Sequence, residues 1–398
     1  MREGNFYIAS RVNALESTAI NRVSDELKQE VEGGAKVISL MRGEPDFPTP
    51  KHICDAAIDS IRAGRTGYPE SRGELTLREA VSVNLNDRGV HYEPNEIIIT
   101  SGATLGIAIA LATLCQEEDN VLISNPAYDA YRGAAMITGA KINFFDSMLV
   151  NNQFTFDIES LKNNWTKQSK VLIINTPWNP TGTVLSRETV IKLMEIAEFN
   201  NFHVVSDEIY SSFTYDDAEH VSPSSVAKNN AILIDSFSKT YAMTGWRLGY
   251  CAGPREIIDA IYKMLQQYSR GPATFVQDAG VAALTYSQDC VEEMRMELSR
   301  RREMVCSGLD SVAGCKVVKP QAGLFVMVDC KQIHSSSRQL QQYLLKEHGV
   351  AVVHGAAYGD STEGALRISF ATGGDDLKLG IELLCKGLES AKKGIKIR

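Results

Sequence analysis

Several stretches of the 398-residue sequence carry side chains suited to chemistry at a single centre. The segment Asp235-Ser-Phe-Ser-Lys-Thr-Tyr-Ala-Met-Thr-Gly-Trp-Arg-Leu-Gly-Tyr250 offers one amine, Lys239, preceded by Ser236 and Ser238 and followed by Arg247. Asp207-Glu-Ile-Tyr210 sets a carboxylate and a phenol three residues apart, on one side of a helical turn. Thr176-Pro-Trp-Asn-Pro-Thr-Gly182 presents the Asn179 amide on a turn held by two prolines. In Ser101-Gly102-Ala103-Thr104 the glycine permits a tight turn, and the amides of Ala103 and Thr104 can hold an anion at a helix start. Arg367 interrupts the apolar run Ala365-Leu-Arg-Ile-Ser-Phe-Ala371, which is costly without an anionic partner. Each has a plainer reading alone: a surface lysine, a cap, a structural turn, an ordinary helix start, an internal salt bridge.

The elements that must position these groups are short apolar runs. Runs 96–100, 121–124, 141–145, 171–175, 203–206 and 231–235 read as strands, most of them separated by helical patterns such as 104–115, 127–138 and 186–200. This alternation predicts an α/β fold with a mostly parallel sheet between helices, and such sheets bind ligands beyond the carboxyl ends of their strands. Four of the runs end in the groups named above, so the pattern gathers anion donors, an amide, a carboxylate, a phenol and an amine on one rim. Before them, residues 13–33 carry a helical pattern ended by Gly33-Gly34, and strand 37–40 runs into the proline-rich crossover 42–50. After a long charged helix at 289–310, strands 315–319, 324–329, 350–354 and 365–371 with helices 337–347 and 375–392 form an α+β unit. The predicted organisation is a large domain over 45–290 and a smaller one from 1–44 and 291–398, as expected for a chain longer than the roughly 250–300 residues one core supports.

Composition narrows the class. Apolar content of 44% and charged content of 23% are those of a soluble globular protein. A net charge of −8 argues against nucleic-acid binding, and no apolar run is long enough to span a membrane. The N-terminus lacks a secretory apolar core, and the eight cysteines are dispersed with no Cys-x-x-Cys pair. A cytoplasmic, metal-independent protein is expected. Neither a G-x-G-x-x-G fingerprint nor a Walker loop is present. The rim instead fits pyridoxal phosphate, which needs a lysine for its aldehyde, an acid for its ring nitrogen and a phosphate cup.

Taken together, Gly43-Glu-Pro-Asp-Phe, Tyr68, Ser101-Gly102, Asn179-Pro-Thr-Gly182, Asp207-Glu-Ile-Tyr210, Ser236-Phe-Ser-Lys-Thr, Gly245-Trp-Arg-Leu-Gly249 and Leu366-Arg-Ile-Ser369 resemble the class I/II aminotransferases. The likeness runs from about residue 10 to about 392. It implies the type I fold of pyridoxal-phosphate enzymes, with a seven-stranded, mostly parallel sheet. It also implies transfer of an amino group from an L-amino acid to a 2-oxo acid by a ping-pong route. Lys239 would be the Schiff-base lysine and proton shuttle, and Asp207 the partner of the ring nitrogen. Tyr210 and Asn179 would bond the ring's 3-oxygen, and Tyr128 would stack on the ring. The phosphate would be held by Ser236, Ser238, Arg247, the Gly102 turn and the amides of Ala103 and Thr104. Tyr68 would reach the phosphate of the neighbouring subunit in a homodimer with shared sites. Arg367 would grip the substrate's α-carboxylate, helped by Asn179 and the Gly43 backbone.

Departures from the family pattern bear on the side-chain pocket. Thr104 stands where similar bacterial aspartate aminotransferases carry a lysine that reads a distal carboxylate. Trp178 replaces a common asparagine and is expected to narrow or line the pocket. Arg270 falls in a loop that family members lend to the partner's site. An alternative on the same fold is a pyridoxal-phosphate lyase, of the carbon–sulfur β-lyase or cyclopropane-forming type. A ligand-sensing regulator would need a DNA-binding domain ahead of residue 43, where only about 40 residues stand.

Overall fold

The computed structural model describes residues 7–394 apart from positions 14 and 16. Its larger sheet has eight strands in the spatial order Ile97–Thr100, Gly249–Ala252, Ala231–Ser236, His203–Asp207, Ser169–Asn175, Asn120–Asn125, Lys141–Val150, Gln153–Phe156. The five from Ala231–Ser236 to Lys141–Val150 run parallel. Gly249–Ala252 runs antiparallel to both its neighbours. Every residue of Ile97–Thr100, Ala231–Ser236 and Gly249–Ala252 is buried, as expected for strands covered by helices on both faces.

The eighth strand corrects the expected count of seven. Lys141–Val150 continues past Phe145 and turns back through Asn151-Asn152 into Gln153–Phe156, with Val150 paired to Gln153. Both asparagines have positive φ, 50° and 60°, as a two-residue hairpin turn demands. The outer half of this hairpin is largely exposed, so burial writes little pattern into it. The helix expected over 13–33 occupies Ala19–Glu32 instead. The Thr18 hydroxyl accepts the Asn21 N–H at its start, and Ser10–Asn13 forms a separate turn of helix.

The second sheet is antiparallel, in the order Lys316–Val318, Phe325–Asp329, Ala365–Ser369, Val353–His354. The strand expected over 350–354 divides at Val352, because Val350–Ala351 pairs in parallel with Ile38–Ser39. Helices Asp289–Asp310, Ser337–His348 and Gly374–Ala391 pack on this sheet through Leu298, Val305, Leu340, Leu344, Leu384 and Leu388. Segment 42–50 ties the two sheets together. On one side Asp46 takes Arg301 Nη1 and the Gly373 N–H, each at 2.7 Å, and the Ser369 hydroxyl donates to the Arg42 carbonyl. On the other, Thr49 Oγ1 donates to the Ala242 carbonyl at 2.7 Å and the Thr244 hydroxyl donates to Glu44. Among the described residues no helix is long and apolar enough to cross a membrane.

Candidate active site

The strand ends of the larger sheet and the middle of the smaller one face a common cavity of about 340 Å³. Gly43, Ala103, Thr104, Tyr128, Asn179, Asp207, Tyr210, Ser236, Ser238, Lys239, Arg247 and Arg367 all line it. Gly102 stands just behind. Its φ is +83°, and a Cβ there would lie 2.5 Å from Arg247 Nη2, so glycine is needed both for the turn and for the close guanidinium. Tyr68 lies outside this cavity and is 92% exposed. Arg270 is also exposed and does not line it. Trp178 contradicts the expectation that it lines the pocket: it is buried on the opposite side against Phe156, ring centroids 4.6 Å apart, and Phe154.

Lys239 sits on the single helical turn Phe237–Thr240 that follows strand Ala231–Ser236, and its Nζ donates to the Gly43 carbonyl at 2.6 Å. Burial holds its pKa down at about 8, against the opposing pull of Glu44. Asp207 ends its strand fully buried, and the loss of solvent pushes its pKa up to about 7. It accepts the Tyr131 hydroxyl at 2.6 Å and the Ile209 N–H at 3.4 Å, and among the described residues no cation pairs with it. The two other buried acids nearby differ. Glu208 takes Arg88 and His220, and Asp235 takes Arg88. Tyr210 follows Asp207 on a turn rather than the expected helical turn, yet both still face the cavity.

Helix Ala103–Leu114 begins at Gly102, which has no side chain to cap it, so the first N–H groups are left for a ligand. The hydroxyls of Ser236, Ser238 and Tyr210 make no hydrogen bond among the described residues. Arg367, 1% exposed, donates from Nη2 to the Met41 carbonyl at 2.7 Å and from Nη1 to Asn179 Oδ1 at 3.2 Å. Its guanidinium lies 3.8 Å from the centre of the Phe325 ring, and among the described residues it has no ion pair. An internal salt bridge is therefore not what holds it. A buried cation lacking a counter-ion, beside a cavity, is a receptor for an anion.

Sequence reasoning passed over three groups. Tyr131 stands one turn beyond Tyr128, edge-on to its ring at 5.5 Å, and its service to Asp207 is invisible without the fold. Asn175 accepts the Asn179 N–H at 2.7 Å and donates to the Asp207 carbonyl at 2.9 Å, locking two strand ends together. Phe325 supplies the ring under Arg367.

The donor set suits pyridoxal phosphate. A buried carboxylate without a cation awaits a protonated ring nitrogen, and free amides, hydroxyls and Arg247 await a phosphate. The comparisons with known proteins agree. Residues 35–380 match the family model described as aminotransferase class I and II. The aspartate aminotransferase of Pyrococcus horikoshii is 36% identical over 98% of this chain and 100% of its own. The aromatic-amino-acid aminotransferase 2 of Thermococcus litoralis is 34% identical over 97% and 99%. The solved aspartate aminotransferase from Thermus thermophilus with maleate superposes with a TM-score of 0.92 at 31% identity, covering 96% of this chain and all of that one. The chain belongs to the class I and II aminotransferase family. It is a pyridoxal-phosphate-dependent aminotransferase.

Proposed function

We propose that the enzyme moves the amino group of an L-amino acid to a 2-oxo acid in two half-reactions, with the roles of the cavity residues as follows. Pyridoxal phosphate, when bound, supplies an aldehyde for amine exchange and an aromatic ring that accepts electrons from the substrate's Cα. Lys239 holds the cofactor and moves the proton at Cα, and its pKa of about 8 keeps a useful fraction of Nζ neutral near physiological pH. Asp207 pairs with the ring nitrogen, while Asn179 and Tyr210 direct N–H and O–H groups at the ring oxygen. Tyr128 stacks on the ring. Ser236, Ser238, Arg247 and the amides of Ala103 and Thr104, shaped by Gly102, hold the phosphate. Arg367 takes the substrate's α-carboxylate, and segment 42–50 with Gly43 covers it against water. Residues 1–44 and 291–398 would move as the smaller domain against 45–290.

The observation that carries this reading is the cavity itself: a low-pKa amine, a cation-seeking carboxylate and an anion-seeking arginine share 340 Å³. It is tested by adding one amino acid, with no acceptor, to the cofactor-loaded protein. Stoichiometric conversion of the cofactor's visible band to the pyridoxamine form is expected. Pyruvate and ammonia released in many turnovers would instead make it a lyase. Aspartate and one aromatic amino acid, phenylalanine, lead the donor panel because relatives named for aspartate and for aromatic amino acids match this chain.

We further propose a homodimer. Tyr68, exposed at 92%, is read as reaching the partner's phosphate, and Arg270 the partner's side-chain pocket. Sedimentation should give twice the chain mass of 43.7 kDa; a stable, active monomer would refute it. Eight free thiols suit the reducing cytoplasm, which we take as its location.

A further inference from the structure

Arg367 stands on the smaller sheet and its contact Asn179 on the turn after strand Ser169–Asn175 of the larger one, so the grip on a carboxylate depends on what fixes the two sheets relative to each other. The hairpin formed by Lys141–Val150 and Gln153–Phe156 touches both. From its tip, Asn152 Nδ2 donates to the Val317 carbonyl at 3.0 Å, and Gln153 Nε2 donates to the Lys319 carbonyl at 2.9 Å. The first carbonyl lies in the edge strand Lys316–Val318 of the smaller sheet and the second one residue past its end. The next residue, Phe154, packs on Val318, Met327 and Ala365. Met327 is the cross-strand partner of Arg367, and Val318 is the partner of Met327. The same Phe154 ring meets Trp178 edge-on, centroids 6.3 Å apart, and Phe156 holds Trp178 from another side at 4.6 Å. Trp178 precedes Asn179 and is pinned to Thr183 by its N–H at 2.9 Å.

We infer that this hairpin, through Phe154, is a positioning element for the α-carboxylate site. It is a wedge that sets the separation of Asn179 from Arg367 by packing at once on the neighbour of each. Packed interiors transmit a lost side chain as a shift of their neighbours, and bidentate recognition of a carboxylate is intolerant of such shifts. It also accounts for Trp178, whose bulk serves this contact and not the cavity. Phe154 is not a catalytic residue, since it touches neither cofactor nor reacting atoms.

The inference rests on the proposal that Arg367 binds the α-carboxylate, so Arg367→Lys is measured alongside as a control and should raise KM strongly. Phe154→Ala is expected to raise KM about tenfold, with kcat changed less than about twofold, as loss of uniform substrate binding requires. The rise should be equal for L-aspartate and L-phenylalanine, because the α-carboxylate is common to both. Phe154→Leu should restore most of the loss. Phe154→Ala also removes apolar packing, so Asn152→Ala/Gln153→Ala, which leaves both cores intact, is the second measure and should move KM in the same direction. A KM unchanged in both hairpin variants while Arg367→Lys raises it would overturn the inference alone. So would a fall confined to kcat, or a KM change for one donor only. An unchanged KM in Arg367→Lys would overturn the reading beneath it as well.

Discussion

Replacing Lys239 by alanine is expected to lower kcat/KM by at least about four orders of magnitude, since one amine is asked both to hold the cofactor and to move a proton. The geometry makes substitution by another group implausible. Among the described cavity-lining residues Lys239 is the sole lysine, and its Nζ is steered by the Gly43 carbonyl at 2.6 Å. Burial lowers its pKa to about 8, so near neutral pH the amine is mostly protonated but gives up its proton cheaply. Lys239→Arg sharpens the test, for a guanidinium keeps the charge but cannot shed its proton. It should be as inactive as the alanine variant. Both variants should fold, and both should lose the visible band of lysine-held cofactor while still binding its phosphate. Measurable turnover in Lys239→Ala at more than a few per cent of the parent rate would remove this lysine from both roles.

How much of this is legible in the sequence differs from residue to residue, for physical reasons. Lys239, Asp207, Asn179 and the Gly102 turn all follow apolar strands directly, and strand runs are the strongest local signal in an α/β chain. Their convergence follows from the parallel topology, which brings carboxyl ends to one rim. Arg367 was legible through cost, because charge inside an apolar strand calls for an explanation. Tyr131 was not, since its hydrogen bond to Asp207 spans 76 positions of sequence and a tyrosine one turn from another reads equally as core. The side that Trp178 takes is not legible, because adjacency to Asn179 says nothing about which side of a turn a side chain occupies. Its partners Phe154 and Phe156 belong to a hairpin in which the second half of strand Lys141–Val150 is largely exposed and has little burial pattern. Helix Ala19–Glu32 starts later than its apolar spacing suggests, because the Thr18 cap fixes the start and periodicity does not.

Asp207→Asn should separate function from stability in opposite directions. In the cofactor-free chain the carboxylate is buried with one hydroxyl and one N–H as donors and no cation, which raises its pKa from 3.8 to about 7. Between those two values the folded state binds more protons at this site than the unfolded state, so folding stability falls as pH rises through that window. Above about pH 7 the whole cost is present, on the order of 4 kcal/mol for a shift of this size, and below about pH 4 it vanishes. Asparagine has nearly the same shape and can still accept the Tyr131 hydroxyl, but it carries no charge. The cofactor-free variant should therefore melt higher than the parent at pH 8, and the difference should shrink towards pH 4. Turnover should fall by about two orders of magnitude or more, because a fixed charge aimed at the ring nitrogen has been removed. Adding pyridoxal phosphate should reverse the order of stability, since only the parent gains a buried ion pair. A variant that melts lower than the parent at pH 8, or a gap independent of pH, would mean that Asp207 is already neutralised by the chain and awaits no cationic ring.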